Sequence, residues 1–196
     1  MADILMDKCL AAKAACGVLA VTKGDIRNKA ISLMADALER DMGAILAANE
    51  NDLKNAKEAG IKESLIDRLM LTEARIKAMA ASLRKVAALP DPLGGGTVWN
   101  RPNGMRIRKV KVPIGLIAII YEARPNVTAD AAAICVKSGN ACVLRGGKEA
   151  ILSSTAIVNS VKSALKEAGL PEECVQIVED TTRESATALM KARGYV

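Results

Sequence analysis

Residues 113–150 read PIGLIAIIYEARPNVTADAAAICVKSGNACVLRGGKEA, and the fold turns on them. Gly115–Tyr121 is a continuous apolar run, the pattern of a strand buried on both faces. Asn126–Lys137 is Ala-rich and reads as a helix. Ala141–Leu144 is a second short buried strand. Strand, helix, strand predicts a right-handed crossover and a parallel sheet. The alternation continues. Glu149–Ala168 places Ile157, Val161, Ala164, Leu165 and Ala168 on one helical face and is closed by Gly169 and Pro171. Val175–Val178 is a third strand and Arg183–Arg193 another helix. Residues 113–196 therefore read as a partial nucleotide-binding α/β unit. The sequence stops directly after that helix, where a parallel sheet calls for a further strand, so we read it as the first part of a longer protein.

Upstream the period differs. Residues 1–90 read as helices. Ile26, Ala30, Leu33, Met34, Ala37 and Leu38 follow the spacing of one buried face, with Asp25 as a candidate cap. A stretch from Met42 to Lys57 stops at Gly60. Thr72 caps a third helix with Ile76, Met79, Ala80, Leu83, Val86 and Ala87 on one face, ended by Pro90 and Pro92. LPDPLGGG, residues 89–96, is the clearest break in the chain. Beyond it the period falls to 2, and Asn103-Gly104 signals a two-residue hairpin turn. Thr97–Arg101 and Met105–Val112 read as a β-ribbon whose basic side chains lie on its solvated face. The expected organisation is 1–96 as the helical part, 97–112 as the ribbon and 113–196 as the partial α/β unit.

Composition narrows the chemistry. The chain has 196 residues, no His and no Phe. Without His there is no His-based catalytic triad and almost no route to a zinc site. Two per cent aromatics cannot build a stacking platform for single-stranded nucleic acid. No uncharged apolar run reaches membrane-spanning length. The net charge of +6 sits mainly in the second half, where 14 basic side chains face 9 acidic ones, against 14 and 13 in residues 1–100. An anionic ligand is therefore sought there, although a merely basic surface gives the same arithmetic. The five cysteines lack CxxC spacing and suit buried thiols in a reducing cytosol. The N-terminus has no basic segment ahead of its apolar residues, so the expected location is cytoplasmic.

Two strand ends carry candidate groups. After Tyr121 come Arg124, Pro125 and Asn126. The Asn126 amide is either a helix cap or a donor to an oxyanion. After Leu144 come Arg145, Gly146, Gly147 and Lys148. Paired glycines permit close approach of a ligand, and the following helix start offers free N–H groups to a phosphate. A Gly-Gly turn between strand and helix also occurs without any ligand.

Pro113-Ile114-Gly115 and the RPNVT and LRGG blocks resemble the signature region of the gamma-glutamyl phosphate reductase family, also called glutamate-5-semialdehyde dehydrogenases. That family lies within the aldehyde dehydrogenase superfamily, and the resemblance extends over all 196 residues. It implies an α/β fold with N-terminal helices, a β-ribbon oligomerisation arm and a partial Rossmann-like sheet of the aldehyde dehydrogenase type. The implied reaction reduces L-glutamyl 5-phosphate with NADPH to L-glutamate 5-semialdehyde and phosphate, the second step of proline biosynthesis. A cysteine thiolate attacks the acyl phosphate and hydride reduces the thioester. That cysteine lies in the half of the family's length beyond these residues, and none of the five here fits its motif. By resemblance Arg145 takes the 2′-phosphate of NADP, with Gly146, Gly147 and Lys148 lining the same pocket. Asn126 is the oxyanion donor, although its spacing to Arg145 departs from the superfamily pattern. Arg124 steers the anionic substrate, a reading from charge and position. The full protein is expected to be a homo-oligomer.

Other readings compete. A reductase module of a bifunctional pyrroline-5-carboxylate synthase fits less well, because Met-Ala-Asp directly precedes the first helix. A non-catalytic nucleotide-binding or assembly module could use the same half-sheet. A nucleic-acid binder using the basic ribbon is disfavoured by the lack of aromatics and the modest charge.

Overall fold

The computed structural model describes residues 2–196. Five helices come first: α1 (Ala2–Val21), α2 (Gly24–Arg40), α3 (Met42–Glu58), α4 (Glu63–Leu69) and α5 (Glu73–Ala88). The antiparallel pair β1 (Gly96–Asn100) and β2 (Arg106–Val110) follows. Then β3 (Leu116–Ile120), α6 (Pro125–Lys137), β4 (Ala141–Arg145), α7 (Ile151–Glu167), β5 (Val175–Ile177) and α8 (Arg183–Met190) alternate. The strands β3, β4 and β5 form a parallel sheet in that spatial order.

Successive side chains of the central strand β4 point to opposite faces, and each face meets different helices. Ala141 and Val143 pack with Leu5, Cys9 and Ala12 of α1 and Leu189 of α8. Cys142 and Leu144 join the larger core made with α2, α5, α6 and α7. The N-terminal helices thus cover the sheet directly. Their ends behave as their residues dictate. The Thr72 hydroxyl accepts the Arg75 N–H at 3.2 Å and starts α5. Gly60, at φ +68°, turns the chain after α3, and the Ile61 N–H returns to the Ala56 carbonyl at 3.0 Å.

Several local expectations are corrected. Gly115–Tyr121 was expected to be buried on both faces. Instead β3 is an edge strand and Ile120 is 43% exposed. Asp25 sits in the first turn of α2 and accepts only from the Ile26 N–H; Lys23 holds the cap position. The buried face of α2 includes Arg27 and Ile31 and leaves Ile26 exposed. The hairpin is not a two-residue turn. Gly104 donates to the Arg101 carbonyl at 2.9 Å, and Arg101 donates to that of Met105 at 2.8 Å. Pro102 fixes a negative φ at the first turn position, so only Gly104, at φ +84°, takes the left-handed conformation. The ribbon is open to solvent along both strands apart from a half-buried Ile107, so it has no single solvated face. The last helix closes at Met190 rather than at Arg193.

Candidate functional site

The parallel strands bring two loops side by side, because Ile120 pairs with Arg145 at the carboxyl end of the sheet. After β3 the chain turns at Tyr121–Ala123 into α6. Arg124 occupies the cap position, Pro125 the first helical position and Asn126 the second. Asn126 is therefore not the helix cap, because proline's preset φ claims the position ahead of it. Its amide is exposed. The Tyr121 hydroxyl stands 2.7 Å from Thr128 Oγ1, and Thr128 donates on to Ser154 Oγ at 3.2 Å. Burial pushes the Tyr121 hydroxyl up, against the pull of these two partners.

After β4 the two glycines have a protein partner. A Cβ on Gly147 would stand 2.8 Å from the Ala123 backbone nitrogen, and one on Gly146 would stand 3.2 Å from the Tyr121 ring. They allow the two strand-end loops to touch. Arg145 reaches across the sheet end. It donates to the Gly146 carbonyl at 3.0 Å and to the carbonyls of Thr181 and Thr182, the latter at 3.1 Å. Its Nε is buried with no partner. Lys148 is exposed at the start of a short 3₁₀ turn.

Two of the N–H groups at the N-terminus of α7, expected to be free, are taken by a side chain. Asp52 of α3, 2% exposed, accepts the Ser153 N–H at 2.8 Å, the Ser153 hydroxyl at 2.6 Å and the Leu152 N–H at 3.3 Å. A carboxylate already satisfies these two N–H groups. Asn49, one turn earlier, donates to the Leu69 carbonyl and to Ser153 Oγ and accepts from the Leu71 N–H at 2.7 Å. Spacing could have exposed both. Ile45, Asn49, Asp52 and Ala56 share one buried helical face, and a polar pair on such a face requires partners.

Two cavities meet at the loops. One, of about 370 Å³, brings Arg124, Arg145 and Gly147 together with Arg68 and Tyr121. The other, of about 510 Å³, joins Arg124 and Asn126 to Arg68, Asp130 and Ser82. Arg68 and Arg124 line both. Each leans on the exposed Glu122 carboxylate, at 3.7 and 3.5 Å. Gly146 and Lys148 line neither cavity.

This arrangement has known counterparts. A family model described as "Aldehyde dehydrogenase family" matches residues 8–195. The chain belongs to the aldehyde dehydrogenase family. Its resemblances are more specific than that. It is 52% identical over 190 residues to a gamma-glutamyl phosphate reductase of Thermoanaerobacter sp. strain X514, covering 96% of this chain and 46% of that protein. A crystal structure of gamma-glutamyl phosphate reductase from Thermotoga maritima superposes with a TM-score of 0.96 at 41% identity, covering 98% of this chain and 47% of that one. The Saccharomyces cerevisiae counterpart gives 0.83 at 30% identity, over 91% and 47%. The chain spans about half the length of the curated relatives it matches.

Seen as an aldehyde dehydrogenase family member, the chain carries no exposed thiol at these strand ends. Cys9, Cys135, Cys142 and Cys174 are buried and Cys16 is half-buried. Burial pushes the Cys174 thiol up to about 12 and raises Cys9 and Cys16. Such thiols are poor nucleophiles at neutral pH. Among the described residues no helix is long and apolar enough to cross a membrane, and no cluster of His, Cys, Asp or Glu suits a metal ion.

Proposed function

We propose that this chain is the cofactor-holding part of a reductase that converts L-glutamyl 5-phosphate into L-glutamate 5-semialdehyde and phosphate at the expense of NADPH. One observation carries the reading: identity of about half over nearly the whole chain to reductases named for gamma-glutamyl phosphate.

The strand-end residues fit the adenosine end of a phosphorylated dinucleotide. The Arg145 guanidinium donates to the Gly146, Thr181 and Thr182 carbonyls, and the Asp180 carboxylate lies near enough to feel its charge. Its cationic fork suits a 2′-phosphate, with the exposed Lys148 three residues further along the chain. Gly146 and Gly147 let the loop lie flat against Tyr121 and Ala123, which fixes where Arg145 emerges. The bound cofactor supplies hydride.

Arg124 receives the anionic substrate at the cavity mouth. The Asn126 amide donates to the acyl oxygen as negative charge develops on it, a contribution larger in a dry site than in water. The acyl group must pass to a thiolate. The buried cysteines of this chain do not suit that role, so the reading places the nucleophile elsewhere in the whole protein. The ribbon β1–β2, open to solvent along both strands, serves as the oligomerisation arm of a homo-oligomer. The five unpaired thiols fit a reducing cytoplasm.

The test is direct. The full-length protein is given L-glutamyl 5-phosphate and NADPH, and NADPH consumption is followed together with phosphate release. One phosphate per NADPH is expected. Cofactor binding without turnover would favour a non-catalytic nucleotide-binding module.

A further inference from the structure

The 510 Å³ cavity holds an unbalanced charge. Asp130, on α6, is half-buried and lines it. No ion pair reaches Asp130 among the described residues, whereas Arg75 is committed to Asp67 and to the carbonyls of Asp67 and Met70. Burial pushes the Asp130 carboxyl up, and only the Asn126 amide opposes this. A carboxylate left in this state calls for a cation. Across the cavity Arg68 and Arg124 are held only by the long contacts to Glu122, and both guanidiniums stay about half exposed. One cavity therefore offers an unpaired anion beside two loosely held cations.

We propose that this cavity recognises the α-amino acid end of the substrate, Asp130 taking the α-ammonium and Arg68 the α-carboxylate. The inference rests on the acyl-phosphate reading above. The spacing supports it. Asn126 and Asp130 lie one helical turn apart, a rise of about 6 Å. In a glutamyl group the acyl carbon and the α-nitrogen are four bonds apart, about 5 Å when extended. An acyl oxygen at the Asn126 amide thus brings the ammonium to Asp130.

The experiment compares three acyl phosphates with the full-length protein: L-glutamyl 5-phosphate, glutaryl monophosphate, which lacks the amino group, and 4-aminobutyryl phosphate, which lacks the α-carboxylate. The unsubstituted protein is expected to prefer the first by well over tenfold in kcat/KM. Asp130→Asn is expected to erase the preference over glutaryl phosphate, read as the ratio of the two kcat/KM values. Asp130→Glu restores part of it. Arg68→Gln, at an exposed side chain, is expected to erase the preference over 4-aminobutyryl phosphate. Preferences unchanged in both charge-removing variants overturn the proposal. Reduction of none of the three by the unsubstituted protein overturns instead the function on which it rests.

Discussion

Asp52 caps the N-terminus of α7 from a position 101 residues earlier in the sequence, accepting both the amide and the hydroxyl of Ser153. This contact fastens α3 to the helix that follows β4, and so fixes the loop carrying Arg145 to Lys148. Replacing Asp52 with Ala leaves those N–H groups buried and unmatched. A loss of about 2 kcal/mol is expected from urea unfolding at neutral pH. Burial raises the Asp52 pKa on folding. The folded chain therefore holds this proton more tightly, and the associated stability is complete below the unfolded pKa and fades as pH rises through the folded one. The gap between the natural chain and Asp52→Ala should be wider at about pH 3 than at about pH 7.

Asp91 has the opposite sign. The Leu93 N–H and Arg27 hold its carboxyl below the ordinary range. Its contribution is present above the unfolded pKa and lost as pH falls through the folded one. Asp91→Asn should lower the melting temperature at neutral pH and leave it unchanged in acid. Equal effects at both would show that the Arg27 contact, 2.7 Å long, carries no ionic component.

Gly147 and Gly146 separate a backbone clash from a side-chain one. A Cβ on Gly147 meets the Ala123 nitrogen, which cannot yield without moving the start of α6. A Cβ on Gly146 meets only the Tyr121 ring. Gly147→Ala should cost about 1–3 kcal/mol by thermal unfolding, and Gly146→Ala clearly less. The reverse order would contradict the described approach of the two loops.

Thr72→Ala removes one capping bond on the surface and should cost about 1 kcal/mol, read as a small, cooperative drop in melting temperature.

The sequence makes the strand and helix alternation after Pro113 readable because period and length agree there. It misleads at β3. An apolar run says that a strand avoids water, and it does not say how many neighbours the strand has; Ile120 ends up at a sheet edge. Asn126 looked like a cap because asparagine is a good one, yet Pro125 takes the first helical position and moves the cap to Arg124. The Gly-Gly pair was legible as a close approach, but its partner, the loop after β3, was not. Asp52 and Ser153 lie too far apart in the chain for any local pattern to join them. No local pattern marks Arg68 or Asp130, and only the fold puts them on one cavity.

Arg145 and Lys148 are proposed to select the phosphorylated dinucleotide. Calorimetric titration of the full-length protein with NADPH and NADH tests it most directly. NADPH is expected to bind at least tenfold tighter, with the difference removed by joint Arg145→Ala and Lys148→Ala substitution while NADH affinity holds. Equal affinity for the two cofactors, or a preference that survives the double substitution, would contradict it.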